Sequence, residues 1–220
     1  MSSSPTAPAE PQADQPQSLI AQAGKLYFPI ALIARLPFLW VAAQWYGATQ
    51  MGRLAVAIVV VEFAAQISTL GLKRGLALHM TGAGKENGAW DGTLVVLGAT
   101  LIPTIGLMLF PQAMFPNSPI KPLDYLLPLA IPAIALSDVM IAALAFRGNI
   151  NAGVLARAVI EPWTISLAAV ALWWWVPNDG LLVSYALSLG AALLFSAFPF
   201  FRDFGPPKAW KPRPIDLYAL

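Results

Sequence analysis

Four ionisable side chains lie inside long apolar stretches of this sequence: Arg35, Glu62, Asp138 and Glu161. A charge near the centre of a lipid bilayer costs at least ~2.5–3.5 kcal/mol, so such a residue normally faces a partner or a water-filled cavity. The arginine fork suits phosphate oxygens, and a carboxylate either holds an arginine in place or exchanges a proton. The four residues therefore indicate either buried ion pairs or a polar cavity that binds an anion.

Two interpretations of these charges stay open, and a fifth residue belongs to both. Arg157 precedes Glu161 by four residues, which places both on one helix face. In the first interpretation, Arg157 and Arg35 only neutralise nearby carboxylates. In the second, Arg35 and Arg157 bind an anionic group in a cavity that opens to the cytoplasm. The carboxylates of Glu62, Asp138 and Glu161 then orient the arginines or accept protons.

Membrane-spanning helices are the elements that must position these residues. Of 220 residues, 58% are hydrophobic and 11% are charged, whereas soluble domains carry about 25% charged residues. A helix needs ~20 apolar residues to cross ~30 Å of hydrocarbon. Six stretches qualify, namely 27–46, 54–72, 93–110, 123–146, 158–176 and 181–201.

These stretches predict an all-α integral membrane protein. We expect a six-helix transmembrane bundle at 25–201, preceded by a disordered cytoplasmic tail at 1–24 and followed by a basic, proline-rich cytoplasmic segment at 202–220.

Basic residues predict the orientation, because Lys and Arg accumulate in short cytoplasmic loops. With the amino terminus inside, ten of the thirteen basic residues fall on the cytoplasmic side. Arg53 and Lys121 fall on the outer side, and Arg35 lies within the first span. The ten are Lys25, Lys73, Arg74, Lys85, Arg147, Arg157, Arg202, Lys208, Lys211 and Arg213. Both termini are therefore predicted to lie in the cytoplasm.

Several kinds of chemistry are disfavoured by the sequence. The chain has no cysteine and one histidine, which leaves no thiolate or multi-histidine metal site. Serines in the spans have apolar surroundings, where serine more often serves helix contact than nucleophilic attack. The segment GAGK at 82–85 lacks the glycine spacing of a phosphate-binding loop. We expect no catalytic residue, no cofactor and no nucleic-acid partner.

Three short segments resemble a known family. They are WYGATQMGR at 45–53, AAQISTLGLKR at 64–74 and ARAVIEPW at 156–163. The first two resemble the hairpin between spans one and two of polysaccharide and lipopolysaccharide flippases, and the third resembles the start of that family's fifth span. These flippases form the oligosaccharide branch of the multidrug/oligosaccharidyl-lipid/polysaccharide exporter superfamily.

Members of this family have about twice as many spans, arranged as two similar bundles facing a cavity. The resemblance implies that this chain is one half of a two-bundle transporter, paired with a second six-helix half in the same longer chain or in a homodimer. It also implies a lipid-linked oligosaccharide as cargo, a polyprenyl diphosphate sugar moved across the bacterial inner membrane for surface polysaccharide or lipopolysaccharide assembly. Arg35 and Arg157 then contact the diphosphate.

Two alternatives to a flippase remain. One is a drug or small-cation antiporter of the same superfamily, in which the carboxylates are the primary ligands. The other is a membrane scaffold without transport, which should have no hydrated cavity reaching Arg35.

Overall fold

The computed structural model describes residue 33, residues 35–79 and residues 85–205, and these are helical apart from short turns. The helices are α1 (residues 35–46), α2 (Gly47–Ser68), α3 (Leu72–His79), α4 (Lys85–Leu109), α5 (Ala130–Phe146), α6 (Ile150–Leu155), α7 (Glu161–Trp173) and α8 (Gly180–Phe204). A π-helical turn, Ala42–Tyr46, ends α1, and another, Ala156–Ile160, joins α6 to α7. Two 3-10 segments, Pro111–Ala113 and Pro122–Leu129, lie between α4 and α5.

Five helical stretches of the described chain are long and apolar enough to cross a membrane. They are Arg35–Ser68, Asn87–Leu109, Pro122–Phe146, Ile150–Trp173 and Gly180–Phe204. Many of their large apolar side chains are exposed, among them Ile102 at 79% and Phe63 at 68%. Lipid accounts for this exposure, because contiguous apolar surface is rare on proteins surrounded by water. The chain is a multi-span, all-α membrane protein.

The first of these stretches changes direction at Gly47. A straight helix of 34 residues measures ~51 Å, which exceeds the ~30 Å hydrocarbon core. Gly47 has φ 81° and ψ 164°, a conformation that is essentially restricted to glycine. On a straight helix Arg35 and Glu62 stand ~40 Å apart, yet both line one cavity. The chain therefore folds back at Gly47, and α1 lies beside α2.

The observed helices correct several predicted boundaries. The segment 47–53, predicted as a loop, is helical because Gly47 alone makes the turn, so α2 replaces the predicted span 54–72. The helix that contains the predicted span 158–176 already begins at Ile150. The helix α8 continues to Phe204, three residues beyond the predicted end of the bundle. The predicted tail 1–24, residues 27–32 and 34 of the predicted first span 27–46, and residues 206–220 lie outside the described residues.

The helix α5 lies at the centre of the bundle. It packs against α2, α3, α4, α6 and α8, and most of its side chains are buried, including Ser137 and Asp138. Two apolar clusters flank it: one contains Val61, Leu127, Ile131 and Leu189, and the other contains Leu76, Val139, Leu144 and Phe200. The carboxylate of Asp138 is therefore fixed by the surrounding packing.

The two ends of the bundle differ in charge. At one end, which we call the basic end, lie the last turn of α2, Lys73, Arg147 directly after α5, and Arg202 in the last turn of α8. Arg147 donates a hydrogen bond to the carbonyl of Asp203 there. The basic end therefore has a surplus of positive side chains.

At the opposite end, two basic and two acidic residues neutralise one another. Arg53 forms an ion pair with the fully buried Asp124, and Lys121 Nζ lies 2.6 Å from Asp179 Oδ1. The Arg53 guanidinium also lies 4.2 Å from the centre of the Phe115 ring. These contacts tie α2 to the segment before α5 and to the turn before α8.

Candidate functional site

A polar cavity of about 470 Å³ enters the bundle near the basic end. Six ionisable side chains line it: Arg35, Glu62, Lys73, Asp138, Arg157 and Glu161. All five residues selected from the sequence are therefore brought together, although they come from α1, α2, α5, the π turn and α7. Their functional roles stay predictions.

Arg157 is the centre of the cavity's ion pairs. Its Nη1 donates a hydrogen bond to Glu161 Oε2 at 2.7 Å, and its Nη2 forms an ion pair with Asp138. The same Nη2 donates to Ser137 Oγ at 2.9 Å. Both terminal nitrogens of Arg157 are thus engaged by other groups of the protein.

A π turn positions Arg157 for these contacts. The turn Ala156–Ile160 inserts an extra residue into the helix, and Pro162 follows directly in the first turn of α7. A π turn displaces the neighbouring side chains around the helix, and such turns are frequent at functional sites. Here Arg157 extends toward α5 while it keeps its contact with Glu161 one turn later.

Asp138 is shared between two cations. Besides Arg157, its carboxylate accepts a hydrogen bond from Lys73 Nζ at 2.9 Å and a longer one from Gln66 Nε2 at 3.4 Å. The Asp138 side chain is only 7% exposed, so removing its partners leaves a nearly buried charge, which is costly. One continuous series of ion pairs, with two positive and two negative side chains, joins Lys73, Asp138, Arg157 and Glu161.

Glu62 does not belong to this series of ion pairs. Its Oε1 accepts a hydrogen bond of 3.2 Å from the hydroxyl of Tyr185 on α8. Among the described residues, no lysine or arginine nitrogen lies within 4.0 Å of the Glu62 carboxylate. The Tyr185 side chain is buried, whereas Glu62 is exposed at the cavity.

Arg35 is the second charge without an ion pair in the described part of the chain. It lines the cavity from α1 and is exposed. The ion pairs found there do not include it, so neither Glu62 nor Asp138 neutralises it directly. The two arginines singled out from the sequence thus differ: Arg157 is bound by two carboxylates and Arg35 presents an unpaired fork.

Sequence reasoning missed three polar groups of the site. Lys73 was assigned to a cytoplasmic loop, but it reaches Asp138 from the first turn of α3. Gln66 follows Glu62 by four residues, so the two side chains lie on one face of an apolar helix. This spacing could have indicated that Gln66 belongs to the same polar site. Tyr185 carried no signal, because a tyrosine in an apolar span is common and its contact with Glu62 bridges 123 positions.

Several serines of the spans form local hydrogen bonds with their own helix. Ser68, Ser184 and Ser196 each donate a hydrogen bond to the backbone carbonyl four residues earlier. In the described residues, no group of three or more His, Asp and Glu side chains is arranged to hold a metal ion. The cavity is therefore the main concentration of charge inside the spans.

No protein-family model, curated protein or solved structure matches this chain. What the fold and site define is a class: a multi-span helical membrane protein with a charged cavity inside its spans.

Proposed function

We propose that this chain is one bundle of a flippase-class transporter in the bacterial inner membrane. The cargo is a lipid-linked oligosaccharide, whose polyprenyl diphosphate enters the polar cavity from the cytoplasmic side for surface polysaccharide or lipopolysaccharide assembly. The basic end faces the cytoplasm, since basic residues accumulate on that side. The transmembrane bundle then has six spans, with α1 and its preceding residues as the first.

The observation that carries this proposal is that Arg35 lines a cavity within the apolar spans and has no ion pair among the described residues. A guanidinium without a carboxylate partner has its donors free for two phosphate oxygens at once. Lys73 also has a side chain that is 47% exposed, so its ammonium group is accessible to the same ligand. Arg157 supports the site by fixing Asp138 and Glu161.

A second bundle belongs to this proposal. Arg35, Glu62 and Gln66 are exposed on the open side of the cavity, and charged side chains at membrane depth do not face hydrocarbon. A second six-helix half, in the same longer chain or in a second copy, covers this side and encloses the cargo. Transport therefore requires both halves.

Binding of a defined probe tests the site directly. The probe is a fluorescent polyprenyl diphosphate disaccharide, titrated against the purified chain in detergent. Loss of a hydrogen bond to a charged group costs ~1.5–3 kcal/mol, so Arg35→Gln should weaken binding ~10- to 150-fold. Arg202→Gln removes the same charge from the exposed end of α8 and should bind like the wild type.

Equal affinity of Arg35→Gln and Arg202→Gln for the probe would exclude Arg35 as a diphosphate ligand. A cation antiporter is the second candidate, because Glu62 offers a carboxylate without a cationic partner in the described chain. Ethidium serves as the cationic probe. Ethidium binding that disappears in Glu62→Gln but persists in Arg35→Gln would favour the antiporter.

A further inference from the structure

The place of Glu62 in α2 sets it apart from the other acidic residues of the cavity. It lies six residues before Ser68, the end of α2, which is ~9 Å along the helix axis. Its neighbours Val61 and Phe63 are apolar, and Phe63 is 68% exposed toward lipid. Glu62 is thus a carboxylate inside a spanning helix, at a depth where an unpaired charge is costly.

Several helices around the cavity contribute titratable or charged groups that line it, and α8 contributes Tyr185, which donates a hydrogen bond to Glu62. These groups are Arg35 on α1, Lys73 on α3, Asp138 on α5, Arg157 on the π turn, Glu161 on α7 and Tyr185 on α8. Arg157 is already bound by Asp138 and Glu161, and Lys73 is bound by Asp138. Only the Tyr185 hydroxyl is hydrogen-bonded to Glu62 among the described residues.

The Tyr185 hydroxyl suits both protonation states of Glu62. A phenol donates its proton to a carboxylate and also accepts a proton from a carboxylic acid, by rotating its O–H bond. The oxygen atoms of Glu62 and Tyr185 lie 3.2 Å apart, and Tyr185 is buried and held in place by its packing. A hydrogen bond therefore remains whether or not Glu62 carries a proton.

A metal ion fits this place less well than a proton. Hard cations require several oxygen ligands, and Glu62 and Tyr185 supply only two side chains. The next polar group, Gln66, directs its amide nitrogen to Asp138 rather than an oxygen to Glu62. A proton needs only one carboxylate oxygen and one hydrogen-bond partner.

We propose that Glu62 and Tyr185 form the proton-binding site of the cavity. Glu62 takes a proton from a hydronium ion in the cavity, leaving water, and returns it to water when the cavity changes. The site itself is independent of the cargo, while its coupling to the cargo rests on the proposed function. A diphosphate bound near Glu62 repels the carboxylate, and like charges favour the neutral, protonated form. Cargo binding should therefore draw in a proton.

The first experiment needs no cargo. Infrared spectra of the purified chain are recorded over a range of pH for the wild type and for Glu62→Gln. The difference between the two sets of spectra isolates the carbonyl band of protonated Glu62. Tyr185→Phe should shift this band to higher frequency, because the hydrogen bond is lost. Asp203→Asn, which changes a carboxylate outside the cavity, should leave the band in place. A band that is unmoved by Tyr185→Phe would overturn the site.

The second experiment measures proton uptake when the polyprenyl diphosphate probe binds. In weakly buffered detergent solution with a pH-sensitive dye, the wild type should take up as much as one proton per chain, and Glu62→Gln should take up none. Binding without uptake, or uptake that persists in Glu62→Gln, contradicts this inference alone. Absence of probe binding contradicts the proposed function instead, and the infrared result then decides the site. Uptake that changes when sodium replaces choline would point to a metal-ion site and overturn the proposal.

Discussion

At the scale of single residues, the two arginines of the cavity have different environments. Arg157 contacts Asp138 and Glu161, and the Asp138 side chain is nearly buried. Arg35 is exposed and has no ion pair among the described residues. The same residue type therefore holds the bundle together at one position and remains available for a ligand at the other.

Substitution of Arg157 should destabilise the protein far more than substitution of Arg35. Arg157→Gln leaves Asp138 and Glu161 without their common partner, and breaking a buried ion pair costs ~3–5 kcal/mol. We expect a loss near ~3 kcal/mol, the lower end of this range, since Arg157 itself is 30% exposed. The free energy of unfolding is measured by SDS titration in mixed micelles.

Two other arginines provide the comparison. Arg202 is 65% exposed where it pairs with Asp203, and an exposed pair contributes at most ~1 kcal/mol. Arg202→Gln and Arg35→Gln should therefore each lower the unfolding free energy by less than ~1 kcal/mol. Similar losses of unfolding free energy for all three variants would show that Arg157 does not stabilise the bundle more than the other two arginines.

At the scale of elements, the reversal at Gly47 brings Arg35 to the cavity. Without it, α1 and α2 form a single helix, and Arg35 lies far from Glu62. Tyr46, the residue before this turn, contacts α7 in two ways. Its ring packs against Trp173 with ring centres 5.1 Å apart, and its hydroxyl donates a hydrogen bond to the Ala169 carbonyl at 2.7 Å. One glycine and one tyrosine therefore connect the start of the bundle to α7.

Gly47→Ala tests this reversal. No atom lies within 4 Å of the position that a Cβ would occupy, so any cost comes from the backbone conformation. A non-glycine residue there costs ~1–3 kcal/mol, and we expect a loss of that size in the unfolding free energy. Gly98→Ala in α4 is the matched control, since its Cβ also meets no atom and its φ is not positive. That variant should be neutral or gain ~0.5–1 kcal/mol. Equal changes of the unfolding free energy in Gly47→Ala and Gly98→Ala would contradict a backbone origin of the loss at Gly47.

At the scale of the whole molecule, the surplus of basic residues at one end predicts the orientation in the membrane. The opposite end holds Arg53 and Lys121, each neutralised by an aspartate. Its aromatic residues Trp174 and Trp175 are 72% and 83% exposed, as expected for side chains at a membrane interface. Charge and aromatic content together predict that the basic end faces the cytoplasm.

Thiol labelling checks the orientation, because the chain contains no cysteine and each variant then carries a single thiol. Asn178→Cys lies in the turn before α8 at the opposite end, and Asn151→Cys lies in the first turn of α6 at the basic end; both positions are exposed. A membrane-impermeant maleimide added to right-side-out spheroplasts should label Asn178→Cys at once and Asn151→Cys only after permeabilisation. The reverse pattern would invert the topology.

The amino-acid sequence by itself determined the class of protein and five of the six ionisable side chains that line the cavity. Long apolar stretches permit little but membrane helices, and a charge within such a stretch is rare enough to mark Arg35, Glu62, Asp138 and Glu161 as a group. Arg157 joined them because it precedes Glu161 by four residues. Some helix ends, such as those at Tyr46, Leu109 and Phe146, also lay within a residue of the positions that glycine, proline and charged residues indicated. These features are local, so they are readable along the chain.

Only the tertiary structure decided which charges pair. Asp138 meets Lys73 from 65 positions away, and Tyr185 meets Glu62 from 123 positions away. In a membrane protein the lipid-facing and protein-facing sides of a helix are similarly apolar, so hydrophobic periodicity does not reveal which side faces a neighbour. The backbone conformation of Gly47 set the return of α1, and the rotation of each helix set the partners of each charge. Within the described residues, packing between helices therefore leaves Arg35 and Glu62 without an ion pair and places Arg157 between two carboxylates.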